Sequence, residues 1–238
     1  MDETWNFSCD NLKILVLDEA DRILDLGFAD TMNGIIENLP ATRQTLLFSA
    51  TQTKSVKDLA RLSLKNPTYV SVHEHSSIST PKNLIQNYVV CDSHDKISFL
   101  WSFVRNHINQ KIIVFFQSCK QVKFVYEAFN KMQTGMTTLA LYGTMNQIRR
   151  MDVYDKYCRK FNAVLFATDI AARGLDFPNI NWVIQMDCPP DSNTYIHRVG
   201  RTARYEKDGQ AILVLTPSEE QEMVGELVAK KIPISKLE

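Results

Sequence analysis

Three acids, Asp18, Glu19 and Asp21, stand close together near the start of the chain, directly after Ile14, Leu15, Val16 and Leu17. Carboxylates this close suit two tasks. One is holding a hard cation such as Mg²⁺, which takes oxygen ligands and often only one or two carboxylates alongside phosphate. The other is orienting or activating a water that attacks phosphorus. Much further along, Arg201 and Arg204 are three apart, so on a helix or tight turn they point the same way. Paired guanidiniums suit planar, bidentate recognition of phosphate. Blander readings stand beside each of these. Asp18 reads equally as the N-cap of a following helix, Ser49 and Thr51 as caps of a helix starting near Lys54, and the arginines as a solvated helix end.

Elements must position these groups. The unbroken run Ile14 to Leu17 reads as a strand buried on both faces, as in a parallel sheet. In open α/β sheets ligands bind beyond the carboxyl ends of strands, where Asp18 and Glu19 sit. Gly27 and Phe28 open a helix whose apolar face is Phe28, Met32, Ile35, Ile36 and Leu39, with Pro40 beyond it. Thr45 to Phe48 is the next strand and runs into Ser49, Ala50 and Thr51. A helix with Val56, Leu59, Ala60 and Leu64 inward is stopped at Asn66 and Pro67, and Tyr69 to Val72 reads as a further strand.

The texture then turns polar and Ser-rich around Pro81, which places a linker at 74–84 between domains at 1–73 and 85–238. His73 and His75 lie in this polar stretch with no third ligand nearby, and read as solvated. A second alternation follows. Strands are expected at Ile85–Val90, Lys111–Phe116, Thr137–Tyr142, Ala163–Ala167, Trp182–Met186 and Ala211–Leu215. Between them lie helical patterns such as Ile97, Leu100, Trp101, Val104 and Ile108, or Val122, Val125, Tyr126 and Phe129. A last helix spans Ser218 to Lys231, with Glu219 and Glu220 at its positive end. This alternation predicts parallel α/β sheets flanked by helices, in two similar lobes that share a cleft.

Composition limits the partners. The 238 residues carry 27 Lys+Arg and 27 Asp+Glu. Binding to nucleic acid must therefore come from a local basic groove, which argues against basic-tail binders. The five cysteines, Cys9, Cys91, Cys119, Cys158 and Cys188, are scattered and never form a Cys-x-x-Cys pair, so zinc is not expected and free thiols in a reducing compartment are. No apolar run reaches the length of a membrane span, and the first residues lack a signal-peptide pattern, which points to nucleus or cytoplasm.

Four segments occur in order: Asp18-Glu19-Ala20-Asp21; Ser49-Ala50-Thr51; Ala167-Thr168-Asp169 through Arg173-Gly174-Leu175-Asp176; and Tyr195-Ile196-His197-Arg198-Val199-Gly200-Arg201-Thr202-Ala203-Arg204. Together they resemble motifs II, III, V and VI of the DEAD-box RNA helicases over essentially the whole chain. The resemblance implies RecA-like lobes that bind ATP between them and RNA across both. It implies that Asp18 holds Mg²⁺ through water, that Glu19 orients or activates the attacking water, and that Asp21 couples to the hydroxyls of Ser49 or Thr51. Arg201 and Arg204 become arginine fingers, a device worth about 10³–10⁵ in rate in related phosphoryl-transfer systems. His197 links the ATP site to the first lobe, and Asp176 accepts from the ribose hydroxyls of ATP.

RNA contacts should go to phosphates and 2′-hydroxyls. The candidates are Ser118, Gly143, Gln147 with Arg150, and Thr168 with Asp169. Arg149 and Arg150 also read as an exposed helix face, and packing accounts for at least one of Phe115 and Phe116. Two positions depart from the family pattern: Tyr142-Gly143 where many members have His-Gly, and Ala203 where many have glycine. The stretches Thr51–Arg61 and Arg173–Phe177, with Ala203, resemble nucleolar members that serve ribosomal RNA processing. That implies a nucleolar location and pre-ribosomal particles as partners.

No Gly-x-x-x-x-Gly-Lys-Ser/Thr phosphate loop occurs in these residues. The expectation is the C-terminal part of one RecA-like lobe plus a complete second lobe, in a fragment inactive by itself. Two alternatives stay open: a catalytically silent RNA- or protein-binding module, and a DNA translocase of the same superfamily.

Overall fold

The computed structural model describes residues 4–25, 28–49, 60, 63–70, 80–172, 174–204 and 207–237. The chain divides into two compact units, Met1–Glu74 and His75–Glu238. In the first, strand β1 (Ile14–Leu17) leads into helix α1 (Ala20–Asp25) and helix α2 (Ala29–Glu37), followed by strand β2 (Gln44–Leu47). The two strands pair in parallel, Ile14 with Gln44 through Leu17 with Leu47. Leu15, Leu17, Ala20 and Leu47 pack with Met32 and Ile36 of α2.

Strand β1 is not buried on both faces. Ile14 and Val16 are 53% and 52% exposed. Among the described residues this sheet has two strands, and α2 covers the face carrying Leu15 and Leu17. Alternate side chains of a strand point to opposite faces, so Ile14, Val16, Leu46 and Phe48 stand exposed on the other. Tyr69 and Val70, expected to begin a strand, are exposed and in none; strand propensity counts only where a ladder takes it up. Ala60 and Ser63 are helical, whereas Val56, Leu59, Ser71, Val72, His73 and His75 lie outside the described residues.

The second unit alternates strand and helix as the apolar pattern requires. Its elements are β3 (Leu84–Val90), α3 (Lys96–Asn106), β4 (Lys111–Phe115), α4 (Cys119–Met132), β5 (Thr138–Leu141), α5 (Gln147–Arg159), β6 (Ala163–Ala167), β7 (Trp182–Gln185), α6 (Ser192–Val199), β8 (Gly209–Leu215), α7 (Pro217–Ala229) and β9 (Ile234–Lys236). The sheet order is β5-β6-β4-β7-β8-β3-β9, and every pairing is parallel. Strands β4 and β6 are buried along their whole length, which explains their uninterrupted apolar sequences.

Alternation along the strands divides the core in two. Ile112, Val114, Val164 and Phe166 pack with Leu100 and Val104 of α3 and with Val122, Val125 and Phe129 of α4. Ile113, Phe115, Leu165 and Leu213 face Val153 and Tyr157 of α5, Tyr195 and Val199 of α6, and Met223 and Leu227 of α7. Polar anchors join α5 to the strand beneath it. Tyr157 Oη donates to Ile112 O at 2.9 Å, and Lys111 Nζ donates to Cys158 O at 3.2 Å while lying 4.8 Å from the Tyr157 ring centre. Burial holds the Lys111 ammonium below the usual lysine range. Strand β9 has no counterpart in the sequence-based expectation; β6 keeps its expected bounds, β8 begins two residues earlier than expected, and β3, β4, β5 and β7 differ by a residue at one end or both.

Candidate functional site

In the first unit the ends of β1 and β2 are tied together. Phe48 N–H donates to Leu17 O at 2.8 Å, and Ala20 N–H donates to Phe48 O at 3.1 Å. Asp18 through Asp21 and Ser49 therefore emerge side by side, beyond the carboxyl ends of the strands. Glu19 sits at φ +50°, a left-handed conformation that non-glycine residues rarely adopt. Its N–H donates to Asp18 Oδ1 at 2.8 Å. That bond joins neighbours at the turn, and differs from an N-cap bond, which reaches two or three residues into a helix. Asp21 is turned inward at 3% exposed, whereas Asp18 is exposed and Glu19 half-buried. Thr51 lies outside the described residues. A single exposed carboxylate fits Mg²⁺, which keeps several waters and takes few protein ligands.

In the second unit β5, β6 and β4 lie side by side. Ala167 is level with both Leu141 and Phe115. Thr168 N–H donates to Leu141 O at 3.2 Å, and Phe116 N–H to Ala167 O at 2.9 Å. Ser118, Gly143 and Thr168, each just past its strand, thus gather along one edge. Ser118 caps α4: its Oγ accepts from Gln121 N–H at 3.2 Å, and its own N–H donates to Gln121 Oε1 at 3.0 Å. Asn146 caps α5, Oδ1 accepting from Arg149 N–H at 2.8 Å. Both helices open toward this edge, and their positive ends favour an anion there. Gln147 is exposed in the first turn of α5. The Arg150 side chain braces the preceding loop, Nε donating to Met145 O at 2.9 Å and Nη2 to Gly143 O.

Helix α6 carries the third part. Asp191 caps it, Oδ1 accepting from Thr194 N–H at 2.7 Å. Its buried face is Ser192, Tyr195, Arg198 and Val199. Arg198 is wholly buried. Its Nε and Nη2 donate to Asp169 Oδ1 and Oδ2 at 2.6 and 3.1 Å. Nη1 donates to Gln185 Oε1 at 3.2 Å, and the guanidinium lies 5.6 Å from the Phe115 ring centre. The carboxylate of Asp169, read from the sequence as an RNA contact, is thus committed to an arginine to which the sequence reading gave no role. The signal was present: Arg198 falls three residues after Tyr195, at core spacing.

Beyond α6 the chain turns, and Arg201 and Arg204 reach the same loop. Arg201 Nη1 donates to Leu175 O. Arg204 Nη1 donates to Asp176 Oδ1 at 2.6 Å, and its Nε to Gly200 O at 2.8 Å. Asp176, Phe177, Asn179, Ile180, Arg201 and Arg204 are among the residues lining a cavity of about 80 Å³. That is well below the roughly 300 Å³ of a small-molecule pocket, so this unit offers a foothold for part of a ligand. An acid for hydroxyls and two guanidiniums for phosphate fit a nucleoside triphosphate there. His197 is half-buried on α6, next to Arg198. Between the two arginines Ala203 adopts φ +53°, the left-handed region that suits the glycine many family members carry.

Parallel sheets with acids and arginines beyond their carboxyl ends place both units in the RecA-like α/β class. Two family profiles match the chain: DEAD/DEAH box helicase over residues 1–59 and helicase conserved C-terminal domain over 95–206. The chain belongs to the DEAD-box helicases. It is 65% identical over 237 residues to the probable ATP-dependent RNA helicase DDX10 of Mus musculus, covering 100% of this chain and 27% of that protein. It is 59% identical to the ATP-dependent RNA helicase DBP4 of Yarrowia lipolytica, covering 100% of this chain and 32% of that protein. The chain therefore spans about a quarter to a third of these relatives. Its backbone is similar to S. cerevisiae Dbp5 bound to RNA and ADP BeF3, with TM-score 0.84, 27% identity, and 97% of this chain and 61% of that one covered. It is also similar to Mss116p bound to ssRNA and AMP-PNP, with TM-score 0.85, 29% identity, and 100% and 50% covered.

Proposed function

We propose that the protein containing this chain is an ATP-dependent RNA helicase that separates short RNA duplexes locally during ribosomal RNA processing, acting in the nucleolus on pre-ribosomal particles. The observation that carries the reading is the Asp169–Arg198 ion pair. It joins the strand-end edge of Ser118, Gly143 and Thr168 to the helix that leads into Arg201 and Arg204. One lobe thereby ties an RNA-facing edge to a phosphate-facing turn.

Each residue has a task in this reading. Ser118, Gly143, Gln147, Arg150 and Thr168 meet RNA phosphates and 2′-hydroxyls, with Asp169 holding the edge in place. Asp176 accepts from the ribose hydroxyls. Arg201 and Arg204 take up charge that develops on the terminal phosphate, and His197 links this lobe to the first. Glu19 orients the attacking water and accepts its proton, Asp18 holds Mg²⁺ through water, and Asp21 relays to Ser49 and Thr51. When bound, the Mg²⁺–ATP complex supplies the phosphoryl group and neutralises its charge. Homology to proteins named ATP-dependent RNA helicases supports the reading, as do the residue types at each place.

The test is RNA-stimulated ATPase of the full-length protein. Glu19→Gln or Arg201→Ala should lower turnover by about 10³; near-wild-type turnover in either refutes the role assigned. Single-stranded DNA should stimulate far less than RNA, and equal stimulation would favour a DNA translocase. Residues 1–238 alone should bind RNA without turnover, because no phosphate-loop motif occurs in them.

A further inference from the structure

We propose that Tyr154 is a positioning residue that fixes Asp176 for nucleotide and ties it to the RNA-facing turn of α5; the inference rests on the nucleotide role given above to Asp176. Tyr154 lies in the middle of α5, four residues after Arg150 and seven after Gln147, which puts all three on one side of the helix. Its hydroxyl donates to Asp176 O at 2.7 Å. Its ring packs on Phe177 with centres 5.3 Å apart, and Tyr157 meets the same phenylalanine edge-on at 5.5 Å. Phe177 is 2% exposed. The peptide that follows Asp176 is thus held on both sides, by its carbonyl and by the next side chain.

The loop needs such a hold. It runs between two left-handed residues, Gly174 at φ +66° and Asn179 at φ +58°, and glycine is the residue with the most backbone freedom to lose. The carboxylate of Asp176 stays offered, its side chain 57% exposed and met by Arg204. Helix α5 is itself fastened to the sheet through Tyr157 and Lys111, so it behaves as a rigid strut. One end of the strut carries Gln147 and Arg150, and its middle grips Asp176. Burial and the Cys158 thiol raise the Tyr154 pKa, so the hydroxyl remains a donor at neutral pH. The aromatic pair also gives a purpose to Phe177, which the proposed chemistry does not otherwise use.

The experiment compares Tyr154→Phe, Tyr154→Leu and Asp176→Ala in the full-length protein. Tyr154→Phe removes the hydroxyl that donates to Asp176 O and also meets the Cys158 thiol, so it should raise KM for ATP about fivefold and hold kcat at saturating ATP and RNA within about twofold. Melting temperature and RNA affinity without nucleotide should stay at wild-type values. Tyr154→Leu also loses the ring and should raise KM further. If Tyr154→Phe leaves KM within about twofold while Asp176→Ala raises it, the positioning role is overturned and the nucleotide role of Asp176 stands. If neither variant moves KM, the nucleotide role itself fails. A joint fall of kcat, melting temperature and RNA affinity in Tyr154→Phe would show a merely structural residue and also overturn the proposal.

Discussion

Arg198 and Asp169 form a two-pronged ion pair, 2.6 Å from Nε to Oδ1 and 3.1 Å from Nη2 to Oδ2. The guanidinium is fully buried, and the carboxylate side chain is 36% exposed. The pair clamps α6 to the turn that leaves β6. A buried arginine is costly when left without its partner, and much less so when both charges are removed together.

Asp169→Asn should therefore lower unfolding free energy by about 2 kcal/mol, a figure reduced for the carboxylate's partial exposure. Arg198→Met should cost more, because Asp169 and Gln185 lose a shared donor. The double variant should cost less than the sum of the two. Urea unfolding of the four proteins measures this cycle; strict additivity would show that the pair contributes no coupling.

Gly209 should tolerate no side chain. A Cβ there would lie 2.5 Å from Ala203 N and 2.9 Å from Ala203 Cβ, and closer still to Thr202 Oγ1. Those are backbone and buried atoms, so Gly209→Ala should destabilise by about 1–3 kcal/mol. It should also disturb the turn that presents Arg201 and Arg204. Ala203→Gly should do the opposite and stabilise by up to about 1 kcal/mol, because glycine holds φ +53° without strain. Thermal melts of both variants give the signs directly.

The Arg204–Asp176 contact at 2.6 Å makes a prediction about nucleotide. In ATP the ribose and the terminal phosphate are held apart by the α- and β-phosphates. In the roles proposed above, with Asp176 on the ribose and Arg204 on the terminal phosphate, the two side chains would separate, so nucleotide binding is expected to break the contact. Partly exposed pairs are worth about 1 kcal/mol at most. Arg204→Ala should thus tighten ADP binding about two- to fivefold while abolishing hydrolysis. Calorimetric titration with ADP checks this, and weaker ADP binding would show that the pair does not compete with nucleotide.

Cys188 should be the slow thiol of the chain. Burial, with Glu219 nearby, pushes its pKa from 9.0 to about 11. At pH 8 its thiolate fraction is then about 100-fold below that of an ordinary cysteine, and alkylation slows accordingly. The same shift sets a sign for stability. The unfolded thiol loses its proton near pH 9 and the folded one near 11, so between these values the unfolded state binds fewer protons and stability falls as pH rises. Iodoacetamide labelling followed by peptide mass mapping across pH 7–10 tests the first statement. Denaturant melts of wild type and Cys188→Ala over pH 8–11 test the second.

Much of the second unit was legible because both of its sheet faces are covered. Buried runs such as Ile112–Phe115 and Val164–Phe166 have no polar interruption to blur them. Helix α5 was the harder case: nothing local to Val153, Tyr154 and Tyr157 tells that one phenol reaches a loop carbonyl. Strand β9 was missed because Ile234, Ser235 and Lys236 are too few to show alternation; β3 beside them makes them a strand. Strand β1 was over-read, since an apolar run reports what could be covered and not what is. The motif residues showed their chemical type, but Arg198 shows the limit. An arginine three residues before Arg201 carries the same chemical type, and only the position of Asp169 assigns it to the interior.

Strand β3 has a consequence for how the protein is made. Its neighbours are β8 and β9, with Leu84 level with Gly209 and Gln86 level with Ile234. The first strand of the second unit therefore waits, both edges open, until the ribosome has delivered nearly all the rest of that unit. Long-range parallel pairing of this kind forms slowly, and an open strand edge is a template for unwanted pairing meanwhile. Synthesis halted just before residue 209 would leave a nascent chain in which β4 to β7 can assemble while β3 stays adhesive. Such a chain is the one a chaperone would meet.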